Sequence, residues 1–280
     1  MKTFYLIIDE SGAKGYSENT EKYLQEFGVM VGFLVPSEYL MVWRSKSEKF
    51  FEINTNKKTH ITSLNNKEQH RFRNILFDIF LQNGINWFYE ASYVQGFNEG
   101  ADSKELLHAK LFSNVFMKAL YNLTLLKENG NIKIHVISDT LNNGEIKLFE
   151  REVQDLIKLI TNRDIEKNLT AFDKNSNKLI KSISVTKITE QDKHFPEFEN
   201  IQLEISSEET TLTLMADILA NSVFYYLREY IKNTNNYPML NAKQSIDKHP
   251  LSKLVLGSPN MNSEEALPDI FDIMYRKRKT

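Results

Sequence analysis

Three aspartates in this chain stand where apolar elements ordinarily carry none. Asp9 closes the run Phe4-Tyr5-Leu6-Ile7-Ile8, Asp139 closes Ile132 to Ser138, and Asp217 interrupts Leu212 to Ala220. If the first and fourth strands are parallel neighbours, Asp9 and Asp139 come within reach of each other, because paired strands lie about 5 Å apart. A helix packed on that edge would bring in Asp217. Carboxylates converging on one point cannot all stay ionised without compensation, and the usual compensation is Mg²⁺ or Mn²⁺. Such ions lower the pKa of a bound water, and a pair about 3.5–4 Å apart stabilises the attacking and leaving oxygens of phosphodiester cleavage. Asp9, Asp139 and Asp217 are therefore candidate metal ligands and catalytic residues, with Glu10 as a fourth. Adjacent strand residues face opposite sides, so Glu10 can join Asp9 only if the chain is already turning at Ser11-Gly12. His60, in a polar loop, is a candidate proton shuttle. Lys58 and Ser11 are the candidate substrate contacts.

The elements that must position these groups are legible from periodicity. Phe4 to Ile8 and Phe27 to Val35 read as buried strands joined by a long polar loop, an arrangement that suits a hairpin. Ser37 to about Phe51 reads as a helix. A second helix is capped by Asn65 or Asn66 and stopped by Gly84. Ile85 to Val94 reads as a third strand and Ile132 to Ser138 as a fourth, with a helix opening at Ser103 and closing at Gly130 between them. Gly144 to Leu159 reads as an amphipathic helix, Ser182 to Ile188 as a fifth strand, and Thr210 to Ile231 as a long apolar helix. Residues 232–280 are weakly periodic and read as a less regular extension. Strands alternate with helices and no linker intervenes, so the expectation is one α/β domain over residues 1–280 with a mixed sheet flanked by helices.

Composition narrows the function classes. Of 280 residues, 41% are hydrophobic and 26% charged. No run approaches the roughly 18 uninterrupted apolar residues of a membrane span, and no secretory leader is evident, so no membrane partner and a cytoplasmic location are expected. Zero cysteines exclude disulfides and thiolate metal sites. The net charge of −2 gives no global pull toward nucleic acid, so any such contact must use local patches. None of the ten glycines forms a phosphate-cradling motif. His70, His108, His135, His194 and His249 show no metal-ligand spacing; His135 reads as a strand-face residue and His108 as a surface one.

Asp9-Glu10-Ser11-Gly12 after an N-terminal strand, Thr59-His60-Ile61-Thr62-Ser63, Asp139 after a strand and Ala216-Asp217-Ile218-Leu219-Ala220 on a late helix follow one another in a fixed order. In these features, spread over about residues 1–227, the chain resembles the domain-of-unknown-function family 3800. The resemblance implies a ribonuclease H-like fold with the acids as metal ligands of a nuclease-like site, acting on RNA, DNA or a hybrid. Members of that family are mostly microbial and often met among mobile-element or phage-defence genes. The competing expectation is a non-catalytic interaction module that retains the fold.

Overall fold

Leu6, Ile7 and Ile8 are all fully buried, which a strand achieves only when both faces of its sheet are covered. In the computed structural model that strand, β1 (Lys2–Gly12), is central. It pairs antiparallel with β2 (Phe27–Pro36) and parallel with β4 (Asn131–Ser138). β3 (Trp87–Tyr93) runs antiparallel to β2, and β7 (Asn200–Ser207) runs parallel to β4. Two short strands, β8 (Leu240–Asn241) and β9 (Pro268–Phe271), extend the β3 edge, giving the order β7-β4-β1-β2-β3-β9-β8. The structure describes residues 1–15, 21–51, 60–94, 106–173, 178–189, 195–232, 240–241, 245–256 and 268–271.

Helices cover both faces, as expected for a mixed α/β fold. One face packs against α1 (Ser37–Phe51), α2 (Asn66–Asn83) and α5 (Thr211–Ile231), around Ile7, Val29, Val31, Trp87, Leu212 and Ile218. The other packs against α3 (Leu106–Leu125) and α4 (Asn143–Asn162), around Leu6, Ile8, Met30, Phe112 and Val136. Asn65 caps α2 through the Glu68 N–H, and Gly84 ends it in the left-handed conformation. α3 stops at Leu125, short of Gly130, where the apolar spacing fades into Lys127 and Glu128. No helix among the described residues is long and apolar enough to cross a membrane.

The fifth strand expected at Ser182 to Ile188 belongs elsewhere. It forms part of β6 (Lys178–Lys187), which pairs with β5 (Asp164–Asp173) as a separate two-stranded ribbon. The sheet's fifth core strand is β7, whose Ile201, Leu203 and Ile205 alternate with polar residues.

Two buried polar arrangements fix the packing. Glu90 of β3 meets Lys118 of α3 at 2.9 Å, and Lys118 also donates to the Tyr89 carbonyl. Both side chains are fully buried, and burial pushes each toward its neutral form, Glu90 up and Lys118 down.

The second arrangement lies in the C-terminal segment, where residues 245–256 join the core through Ile246, Leu251 and Val255. The Trp87 indole donates to the Leu251 carbonyl at 3.1 Å. His249 sits in a ring of Phe77, Trp87 and Tyr226. Its Nδ1 accepts the Leu251 N–H at 3.1 Å, which places the neutral ring's proton on Nε2, 3.0 Å from the Ser222 hydroxyl. Burial holds His249 down at about 3. Above pH 6.5 neither folded nor unfolded chain charges this ring; below it the unfolded chain takes up a proton that the folded chain refuses. Stability should therefore fall as pH drops from about 6.5 toward 3, by about 1.4 kcal/mol per pH unit from this group. His249→Gln is expected to flatten that slope by about one proton, as read by urea unfolding across the window.

Candidate functional site

Asp9 lies at the carboxyl end of β1, where the strand's alternation turns it to the side packed by α5, the face of Ile7. Only 5% of it is exposed. The end of β1 is shaped by Gly12, whose φ of +84° lies in the left-handed region. A Cβ there would stand 2.5 Å from the Phe224 ring of α5, so the glycine lets helix and strand end approach.

Asp139 follows the adjacent strand β4. Its backbone carbonyl accepts the Ser207 hydroxyl at 2.9 Å and its Oδ1 accepts the Thr140 hydroxyl at 2.7 Å. Asp217 comes from α5, where its Oδ2 accepts the Ile61 N–H at 2.7 Å. That contact docks the short 3₁₀ turn Ile61–Ser63 against the helix, with Ile61 buried beneath it. His60 begins the turn and is tied to it through its carbonyl, which accepts the Ser63 N–H and hydroxyl. Its Nδ1 lies 3.3 Å from Asp139 Oδ2 and 3.8 Å from Asp217 Oδ2, and 37% of its side chain is open to solvent.

The structure thus draws Asp9, Asp139, Asp217 and His60 to one sheet edge from four separate segments. Their charges are felt mutually. Burial raises the Asp9 carboxyl well above its ordinary value, and Glu10, Asp139 and Asp217 each push it further up. Asp217 is raised to about 6, first by burial, with Asp139 and Glu10 adding to it against the Ile61 N–H and His60. Carboxylate oxygens are the donor type that a hard divalent cation takes. Among the described residues, however, no three His, Asp or Glu side chains stand close enough together to form a ready-made metal shell.

Glu10 is placed differently from the other acids. It turns to the opposite face, where its Oε2 lies 3.4 Å from His108 Nε2 and its Oε1 is paired with Lys14. Burial works to raise its carboxyl, but His108 and Lys14 outweigh it and hold it at about 2. His108 is not the surface residue its surroundings in sequence suggested. It is 4% exposed, edge-on to Phe149 and 3.9 Å from Glu145. Ser11 shares Asp9's face by alternation and is half-buried. Lys58 lies outside the described residues, as does the basic run 276–279.

One acid at this edge was missed in the sequence. Ser138 pairs with Ser207, so Glu208 at the end of β7 stands beside Asp139, and its N–H donates to the Ser138 carbonyl at 2.8 Å. Arg44 of α1 meets it at 2.6 Å. The signal was the alternation of Ile201, Leu203 and Ile205, which marks a strand ending just before Glu208.

A scan against protein-family models finds no match to this chain, and a search of curated proteins finds none either.

Proposed function

We propose that this protein is a metal-dependent phosphodiester-cleaving enzyme of the nuclease type, built on a ribonuclease H-like sheet. The observation that carries the reading is the gathering of Asp9, Asp139 and Asp217 at the ends of two parallel neighbouring strands and a covering helix, with Asp9 buried and raised by the others. Buried groups with strongly shifted titration, set beside specific charged partners, mark functional sites more often than chance does. Mg²⁺ or Mn²⁺ held by these three carboxylates would activate a water and offset charge on a phosphate. His60, fixed against Asp139 and partly open to solvent, is placed to pass a proton to or from a substrate oxygen at its ring. Arg44, held beside this edge by Glu208, supplies a guanidinium of the kind that grips phosphate oxygens.

A non-catalytic interaction module is the second reading, and the lack of a ready-made metal shell among the described residues favours it. The two part company in a crystal soaked in Mn²⁺. Anomalous density between Asp9, Asp139 and Asp217, together with Mn²⁺-dependent cleavage in a panel of RNA, DNA and hybrid substrates, is the expected result. Three acids that stay apart with no metal between them, and no cleavage, would leave the interaction module.

A further inference from the structure

The helix that carries Asp217 continues past the acid site with a second set of groups on the same side. At 100° per residue, Asp217, Asn221 and Arg228 fall within about 40° of one another, and Tyr225 and Lys232 lie within a further 40° or so. Asn221 is held by Arg73 of α2 at 2.6 Å, and the Nε of Arg73 is buried with no hydrogen-bond partner among the described residues. About 12 Å along the axis from Asp217 comes Tyr225, 56% exposed. The Arg228 guanidinium then stacks on the Tyr23 ring at 4.8 Å. Tyr225 and Arg228 of α5 and Lys232 at its end, with Tyr23 and Leu24 facing them, line a cleft of about 350 Å³ beyond Asn221. That volume is within the range of small-ligand sites.

The cleft is not strongly basic. Glu229 is 3.4 Å from Lys232, and Glu26 faces Lys22 behind Tyr23. Its distinguishing feature is flat surface: the exposed ring of Tyr225 and a guanidinium already oriented by Tyr23. Flat π-faces beside a few cations are what bind unpaired bases, and each stacked base contributes without regard to sequence. A duplex cannot use them, because its bases are already stacked and paired. From Asp217 to Arg228 the helix rises about 16 Å, the length of about five nucleotides stacked at 3.4 Å each.

We propose that this cleft is a stacking site for bases of a single-stranded nucleic acid, whose backbone runs along α5 from the acid site past Asn221 to Tyr225 and Arg228. The inference rests on the nuclease reading for the class of ligand, and it adds the strand form and the path.

The test is fluorescence anisotropy of the full chain with a labelled ten-nucleotide strand, as RNA and as DNA, and with the corresponding duplex, all in EDTA so that cleavage plays no part. The single strand is expected to bind in preference to the duplex. Tyr225→Ala and Arg228→Ala should each weaken it by about five- to tenfold, while Tyr225→Phe, which keeps the ring, stays near the parent. Both side chains are exposed, and thermal unfolding checks that the variants remain folded. A parent chain that does not bind single strands, a preference for the duplex, or alanine variants that bind like the parent would each overturn the proposal. Intact binding without metal-dependent cleavage would sink the nuclease reading alone.

Discussion

Asp9→Asn and Asp139→Asn are each expected to reduce metal-dependent cleavage by at least about 10²–10³-fold, the scale on which removal of one preorganised electrostatic group acts. Neither should unfold the chain. Asp9 is buried among other carboxylates, so an amide of the same shape relieves repulsion and removes the cost of a buried charge. Because the folded chain raises the Asp9 carboxyl, the stability it lends is complete below the unfolded value near 4 and is lost as pH rises through the folded value. The stability advantage of Asp9→Asn should therefore be absent at pH 3–4 and open toward neutrality. An advantage of about 1 kcal/mol would raise Tm by roughly 2–4 °C in a chain of this size. Calorimetry with and without Mn²⁺, alongside the cleavage assay, reads both effects. Unfolded variants with unchanged Mn²⁺ affinity would defeat this account.

The largest stability effect is expected away from the site, at the Glu90–Lys118 pair. Removing one member leaves the other group buried without its opposite charge, with the Asn114 side chain still hydrogen-bonded to Glu90 when Lys118 is the one removed, a loss of about 3–5 kcal/mol. Lys118→Met alone should therefore be severely destabilised in urea unfolding. It also abandons the Tyr89 carbonyl that Lys118 serves. The double change Glu90→Leu with Lys118→Met removes both charges and should recover most of that loss, since apolar replacements of whole buried pairs are often neutral or better. A double variant no more stable than the single one would show that the cost lies in packing or in the Tyr89 contact.

Both halves of the candidate site were unequally visible in the chain. Asp9, Asp139 and Asp217 announced themselves because each breaks an apolar pattern, and patterns of that kind survive in one dimension. The parallel neighbours β1 and β4 were conditional on topology, which no local signal encodes. Glu10 illustrates the limit. Its neighbour in sequence is a candidate ligand, yet strand alternation sends it to the other face, to His108 and Lys14, and the turn at Gly12 comes too late to bring it back. Glu208 was lost with its strand, because Asn200 to Ser207 is half polar and sits at the sheet's edge. The ribbon of β5 and β6 misled in the opposite sense. Ile180, Ile183 and Val185 have strand propensity, but that property does not say which sheet a strand will join, and here all three are exposed. His249 gave no sign of its role, since its partners Ser222, Phe77 and Trp87 are all distant in sequence.

The position of β1 also bears on how the protein is made. Its parallel partner begins at Asn131, and the helix carrying Asp217 that covers it begins only at Thr211, after β7. A ribosome adding roughly 5–20 residues per second leaves the first strand waiting many seconds for these neighbours. The β1–β2 hairpin can form early, because its strands are close in sequence, whereas β3 reaches β2 only across α1 and α2 and the aspartates meet only once residue 217 has emerged. The nascent protein would thus carry its first acid long before it carries a site, and any activity would switch on with the docking of α5 rather than with the folding of the sheet.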